Sequence, residues 1–402
     1  MTRLRVLIAL LVVMLFMAVS TNYGLYYRLT YILSLVLVLS YLWTWLNGRW
    51  ITVTAERDRK VTNVGGHLEE RVSVANTSRH MPVGWVELRE DSDMPDHGGA
   101  MVITLPRASY ESWTFQIPCR RRGNFSLGPL NIVSGDPLGL FRRKRVYGEP
   151  YSFLVYPATT DLPNLFVPVS DLQGESTTRQ YTHVVTPSAT GIRDYVPGDG
   201  FNRVHWRTTA RTGKLMVKEF DLEQSTNLWI VLDMHGAVQA GEGDESTEEY
   251  GVAIAASIAK KYLDAGLSVG LIACGESELL LRPNPGASQL GRVLEALAMV
   301  RGTGTMALGD VLESHGYGFG RYSTVVLITP SAEESWVMSM RYLAQKRVQI
   351  SVVLLEAQTF GGEGNHLPLV GTLAAGQTPT CVVRRGDDLG RALDFGSRMR
   401  MV

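Results

Sequence analysis

Two apolar runs open the chain. LRVLIALLVVMLFMAVS, residues 4–20, carries one charge, Arg5, and YILSLVLVLSYLWTWL, residues 31–46, carries none. A bilayer core takes about 20 helical residues, and interfacial flanks extend both runs to that length. Tyr26, Tyr27, Trp43, Trp45 and Trp50 then fall near the headgroups, where amphipathic rings are favoured. No A-x-A cleavage site follows the first run, and the second comes at once, which argues against a cleaved signal sequence. The pattern predicts a transmembrane helical hairpin over residues 1–49.

From Trp50 to about residue 160 the period changes to two. ITVTAE, LEERVSVAN, GWVELRED, SWTFQIP, NFSLGPLNIV and YSFLVYP are short, rich in β-branched and aromatic residues, and separated by Gly, Pro, Asn and Asp. Such strands predict a β-sandwich, of immunoglobulin-like type, over 50–160. From about Asn227 strands alternate with helices. NLWIVLD, LSVGLIAC, TVVLITP and QISVVLLE are strand-like runs. Helices are expected from about Ser246 to Ala265, Gln289 to Val300 and Ala332 to Gln345, and Ser246 and Glu249 have capping-box spacing. Leu290, Val293, Leu294 and Leu297 share one helical face. This alternation predicts an α/β domain over 227–402 with a mainly parallel sheet covered on both faces. Residues 161–226 remain as a linker region.

A length of 402 residues suits two or three domains at about 150 residues each. Lys and Arg number 39 and Asp and Glu number 39, a balance that argues against a nucleic-acid partner. Cys119, Cys274 and Cys381 are widely spaced and odd in number, so no disulfide framework is expected and a reducing compartment fits. Arg3 and Arg5 precede the first run; Arg49, Arg57, Arg59 and Lys60 follow the second; the loop between holds Arg28 alone. The positive-inside rule puts both ends of the hairpin, and hence the body of the chain, in the cytoplasm.

Candidate chemistry concentrates in GIRDYVPGDGFNRVHWRTTARTGKLMVKEF, residues 191–220. Asp199 and His205 could serve as a base and its orienting partner in a membrane-bound hydrolase, yet no nucleophile motif lies nearby. Arg193, Asp199, Arg203, His205, Trp206, Arg207 and Arg211 fit an inter-domain clasp or a docking face better, because arginine forks pair with carboxylates and carbonyls. Nor does a G-x-x-x-x-G-K-[ST] loop occur anywhere, so nucleotide hydrolysis by this chain is not expected.

Asp233 ends NLWIVLD, at the carboxyl edge where parallel α/β sheets bind ligands. The position resembles the start of the D-x-S-x-S loop of von Willebrand factor type A domains, which hold a divalent ion. Here the loop reads DMHGA, with His235 and Ala237 at the serine positions; Thr305 fits the later threonine. Mg²⁺ would suit such oxygen ligands. An ion-dependent adhesion domain is thus a further reading, with Asp233 and Thr305 as a degenerate metal site; no cofactor is expected otherwise.

The chain also resembles the domain of unknown function 58 family, whose core pattern is close to R-x-Y-x-P-G-D-x-x-R-R-I-[HD]-W-x-x-x-A-R-x-G-x-L. Arg193, Tyr195, Pro197, Gly198, Asp199, Arg203, His205, Trp206, Ala210, Arg211, Gly213 and Leu215 match; Asn202 and Val204 depart. RRRGNFSLGPLNIVSGDPLGLF matches an upstream element through Arg121, Gly123, Gly128, Pro129, Asp136, Pro137, Gly139, Leu140 and Phe141. The resemblance implies a two-helix anchor in a bacterial inner membrane, a β domain and a von Willebrand factor type A-like domain. It implies no enzymatic activity. It further implies an adaptor for a MoxR-type AAA+ ATPase, beside a transglutaminase-like membrane protein, in assembly or envelope-related processes.

Overall fold

The computed structural model describes residues 2–58, 60–95, 99–163, 165, 189–196, 204–220, 227–320 and 323–393. The chain divides into two compact units, Met1–Ala158 and Thr159–Val402.

The first unit begins with α1 (Thr2–Thr21) and α2 (Gly24–Asn47). Both are long and apolar enough to cross a membrane. Apolar side chains such as Phe16, Val19 and Leu35 point outward, whereas small residues, Ala18, Ser40 and Thr44, are buried.

Nine strands follow: β1 (Ile51–Arg57), β2 (Val61–Asn63), β3 (His67–Asn76), β4 (Val83–Ser92), β5 (Ala100–Leu105), β6 (Tyr110–Pro118), β7 (Gly123–Gly135), β8 (Arg142–Tyr147) and β9 (Tyr151–Tyr156). One sheet has the order β1-β3-β6; the other has β2-β9-β7-β4-β5, with β8 beside β7. Pairing is antiparallel except for β2 with β9. The sheets share a core. Val72 and Val74 of β3 cluster with Val86 and Leu88 of β4 and Ile132 of β7, and Leu68 and Ile117 cluster with Leu127, Phe153 and Val155.

Strict alternation along β3 also puts Glu70 on the inward face. Its carboxylate is 2.7 Å from Arg57 Nη2, which lies 2.5 Å from Glu90 Oε1 as well. The Arg57 guanidinium also lies over the Tyr151 ring, 5.1 Å from its centroid. The core between the two sheets thus contains a buried ion triad.

The second unit begins with an irregular segment that contacts a later helix, Thr247–Asp264. Leu162 and Leu165 are buried, and Lys261 Nζ donates to their carbonyls at 2.5 and 2.8 Å. Burial lowers the Lys261 pKa from its usual value. Residues 161–226 were expected as a linker region, and the carbonyls of Leu162 and Leu165 within it are held by Lys261. Next come β10 (Ala189–Asp194), α3 (Trp206–Thr212) and β11 (Met216–Phe220), then β12 (Asn227–Leu232), α4 (Thr247–Asp264), β13 (Ser268–Cys274), β14 (Glu278–Asn284) and α5 (Ala287–Met299). The chain continues through α6 (Leu308–His315), β15 (Thr324–Thr329), α7 (Ser335–Gln345), β16 (Gln349–Leu355), α8 (Leu367–Ala375), β17 (Thr380–Val383) and α9 (Leu389–Ala392).

A six-stranded sheet of order β14-β13-β12-β15-β16-β17 forms the centre. It is parallel except for β14. α4 covers one face so closely that a Cβ on Gly251 would come within 3.1 Å of Leu232. On the other face Trp229, Val231, Val325 and Leu327 pack against Leu312 of α6, Trp336 and Met340 of α7 and Leu369 of α8. Ser246 caps α4, its hydroxyl accepting from the Glu249 N–H at 3.3 Å. Sequence reasoning passed from LSVGLIAC directly to α5 and did not anticipate β14. Its period-two alternation, ELLLRPN, is hidden in composition by three consecutive leucines.

Candidate functional site

The charged stretch folds around an antiparallel pair, β10 with β11, in which Asp194 faces Met216 and Arg193 faces Val217. Tyr195 N–H donates to the Leu215 carbonyl at 3.0 Å, and His205 N–H to the Met216 carbonyl at 2.8 Å. Val204 and Val217 are buried there. These bonds fix both ends of the excursion that carries α3.

His205 is the N-cap of α3. Its Nδ1 accepts from Thr208 N–H at 3.2 Å and lies 2.7 Å from Thr208 Oγ1. The ring proton therefore sits on Nε2, and the basic nitrogen is occupied by the helix end. Gly213 closes the helix at φ 70°, a left-handed conformation that glycine adopts without strain. Met216 N–H donates to Thr209 Oγ1 at 3.0 Å, tying the helix to β11.

α3 buries none of its side chains. Trp206 is 64% exposed. Arg207 and Arg211 are exposed and make no ion pair among the described residues. Of the other expected site residues, Asp199 and Arg203 lie outside the described residues, and Arg193 lies in β10.

The carboxyl edge of the central sheet holds a second constellation. Asp233 is buried just beyond β12. Its Oδ1 accepts from His235 N–H at 3.0 Å, and its Oδ2 accepts from Thr329 Oγ1 at 2.6 Å. Thr329 ends β15 and accepts in turn from Ser331 N–H at 2.9 Å. Gln239 Nε2 donates to the Asp233 carbonyl at 2.9 Å, and Thr247 Oγ1 to Gln239 Oε1 at 2.8 Å. Burial is the main influence on Asp233 and pushes its pKa up; Thr329 and the His235 N–H oppose this, the His235 side chain also opposes it weakly, and the Glu333 charge adds to the rise.

The family of residues 191–380 follows from a direct match to the model for "Protein of unknown function DUF58". Over those residues the chain is similar to DUF58. Among relatives, "Uncharacterized protein YeaD" of Bacillus subtilis (strain 168) is 28% identical over 181 residues, 44% of this chain and 43% of its own length. "Uncharacterized protein Rv1480" of Mycobacterium tuberculosis (strain ATCC 25618 / H37Rv) is 24% identical over 212 residues, 50% of this chain and 65% of its own. The chain therefore spans less than two thirds of either relative. Among solved structures, the CARDB domain of the PF1109 protein from Pyrococcus furiosus matches with a TM-score of 0.20 at 15% identity, covering 26% of this chain and 91% of that one. The C-terminal domain of wzt matches with a TM-score of 0.22 at 14% identity, covering 32% and 84%. Likeness at that level carries no argument about this fold.

The DUF58 segment thus contains both constellations. In the second, Thr305 does not join Asp233. It is exposed beside Gly304, which bridges to His235. The oxygen partner is Thr329, which sequence reasoning missed, although T-x-S at a strand end is a turn signal that could have flagged it. Both Asp233 oxygens accept from protein donors and Ala237 offers none, so these residues do not fit a divalent ion. Among the described residues no group of three or more His, Cys, Asp or Glu could hold a metal. Saturating Mg²⁺ is accordingly expected to leave the thermal midpoint of the full chain unchanged. A rise that Asp233→Ala abolishes would reveal a working ion site, because only a ligand of the folded state raises it.

Proposed function

We propose that this chain is a membrane-anchored binding protein that uses α3 of its DUF58 segment as a docking face. The observation that carries this reading is the exposure of Trp206, Arg207 and Arg211 on a helix that buries nothing and is pinned at both ends. Tryptophan and arginine dominate binding hot spots, and a fixed helix pays little ordering entropy on docking. In this reading the hairpin sits in the inner membrane with both ends cytoplasmic. The β unit is an immunoglobulin-like sandwich, and the α/β unit is von Willebrand factor type A-like with a vestigial ion position at Asp233. The partner is a MoxR-type AAA+ ATPase, with a transglutaminase-like membrane protein as a neighbour.

The parallel sheet, the helices on both its faces and Asp233 at its carboxyl edge support the von Willebrand-like reading. The capped His205 Nδ1 supports a structural role for that residue over a catalytic one.

In-membrane crosslinking in the native host tests the docking face. Trp206→Ala or Arg211→Glu is expected to weaken partner capture by roughly thirtyfold, the equivalent of about 2 kcal/mol, with unfolding midpoints unchanged. Equal recovery by wild type and both variants would remove α3 as the docking face, and absence of any AAA+ ATPase from the wild-type sample would remove the partner.

A further inference from the structure

The end of the first unit that meets the hairpin has a composition unlike the rest of the sandwich. β8 begins RRKR; Arg142, Arg143 and Lys144 are exposed, and among the described residues β8 pairs with β7 alone. Arg145 donates to the carbonyl of Gly48, the C-cap of α2. Period-two alternation puts Arg143 on the same side of the strand as Arg145, two residues nearer the preceding turn. Lys144 has one acidic neighbour, Asp91, at 3.9 Å with both side chains more than half exposed.

That turn runs from Asp136 to Phe141, and a buried carboxylate shapes it. Asp136 Oδ1 accepts from Phe141 N–H at 2.6 Å and Oδ2 from Leu138 N–H at 3.1 Å. Phe141 then meets the Tyr41 ring edge-on at 5.6 Å. Tyr41 lies six residues before Asn47, the last residue of α2, so the turn reaches about 9 Å back along the helix. A Cβ on Gly139 would lie 3.6 Å from an Arg3 guanidinium nitrogen, at the opposite end of the chain's first helix from its loop. The turn therefore descends to the level at which α1 starts, and its tip, Leu138, is 53% exposed.

A second clamp sets the same level. Asn47 Oδ1 accepts from Gly84 N–H at 2.9 Å, and Asn47 Nδ2 donates to the Gly84 carbonyl at 2.5 Å. Next to it Trp85 holds φ 49°, unusual for a bulky residue, and its side chain stands outward.

We propose that the Leu138 turn, Trp85 and the basic start of β8 form a membrane-apposed face that binds the anionic lipid headgroups of the leaflet from which the hairpin emerges. This rests on the reading of α1 and α2 as membrane spans. Arg3, Arg5 and Arg49 are exposed at the same end, so the two helix ends and β8 present one basic surface with apolar and aromatic tips. Anionic leaflets attract such juxtamembrane clusters, and amphipathic rings favour the headgroup level. Basic residues also guard open strand edges, but edge protection alone explains neither the exposed Leu138 nor the descent of its turn along α2.

The full chain, reconstituted in nanodiscs of phosphatidylcholine with or without 30% (about one lipid in three) phosphatidylglycerol, provides the test. Leu138→Cys and Gln116→Cys are labelled with a fluorophore, the three native cysteines being buried. Gln116 pairs with Glu69, seven residues along β3 from the strand end that faces Ile51, or roughly 24 Å away. Headgroup-quencher lipids are expected to quench the Leu138 label at least threefold more than the Gln116 label. That difference should grow with phosphatidylglycerol and shrink in Arg142→Glu/Arg143→Glu. Equal quenching at the two positions, or no dependence on lipid charge and on the double variant, overturns the proposal. Alkaline carbonate extraction is read first. Release of the chain overturns the anchoring reading and the proposal together, whereas retention with equal quenching overturns the proposal alone.

Discussion

Arg57→Ala is expected to destabilise the β unit by about 3–5 kcal/mol, the usual cost of removing one partner from a buried ion network. The Arg57 side chain is 9% exposed and bridges Glu70 and Glu90, whose side chains are 1% and 7% exposed. Without the guanidinium, two buried carboxylates lose the cation they share. A triple variant, Arg57→Met with Glu70→Leu and Glu90→Leu, is therefore expected to recover part of the stability, because it removes the guanidinium and both carboxylates together. Urea unfolding of the detergent-solubilised full chain, followed by the β-unit transition, measures both. A loss below about 1 kcal/mol for Arg57→Ala would mean that water reaches the triad and that these charges behave as surface pairs.

That triad was invisible in the sequence for a reason that applies to the site as well. Local patterns were legible: the apolar runs gave α1 and α2, capping-box spacing gave the start of α4, and alternation gave β3 and β4. Arg57 and Glu70 meet through the register of β1 and β3, whereas Glu90 lies on β4 in the other sheet and reaches them only through the packing of the two sheets. Asp233 was legible because it ends an apolar run. Its partner was not, since Thr329 is 96 residues away and meets it through the parallel register of β12 and β15, in which Leu232 faces Ile328. Thr305 was chosen by analogy of order along the chain, and the sheet placed a different threonine beside the carboxylate. At α3, the spacing of His205 and Thr208 matches an N-cap and its third helical residue. Histidine is an unusual cap, so the sequence did not mark His205 as one. β14 escaped because consecutive leucines conceal which of them faces the sheet.

Thr329→Val is expected to cost about 2–4 kcal/mol near neutral pH, and the cost should shrink as the pH falls. The substitution preserves shape, so no cavity contributes. It removes the 2.6 Å donor to Asp233 Oδ2 and the acceptor of Ser331 N–H, both in a buried setting. The pH dependence follows from the Asp233 carboxyl, whose pKa is raised above its ordinary 3.8 in the folded chain, chiefly by burial. A folded state that holds the proton more tightly than the unfolded one is favoured in acid. That contribution is complete below 3.8 and is lost as the pH rises through the folded value. Thr329 stabilises the ionised carboxylate and so limits the loss; valine cannot, which extends the window of falling stability upward. Denaturation of wild type and variant from pH 4 to pH 8, values chosen to span the titration of a raised carboxyl, should show stabilities that converge in acid and diverge towards neutrality. Asp233→Asn carries no charge to desolvate and should remove this group's share of the pH dependence. A Thr329→Val penalty independent of pH would mean that the hydroxyl serves the Ser331 turn and not the carboxylate, and that the strand-end constellation is held by backbone geometry alone.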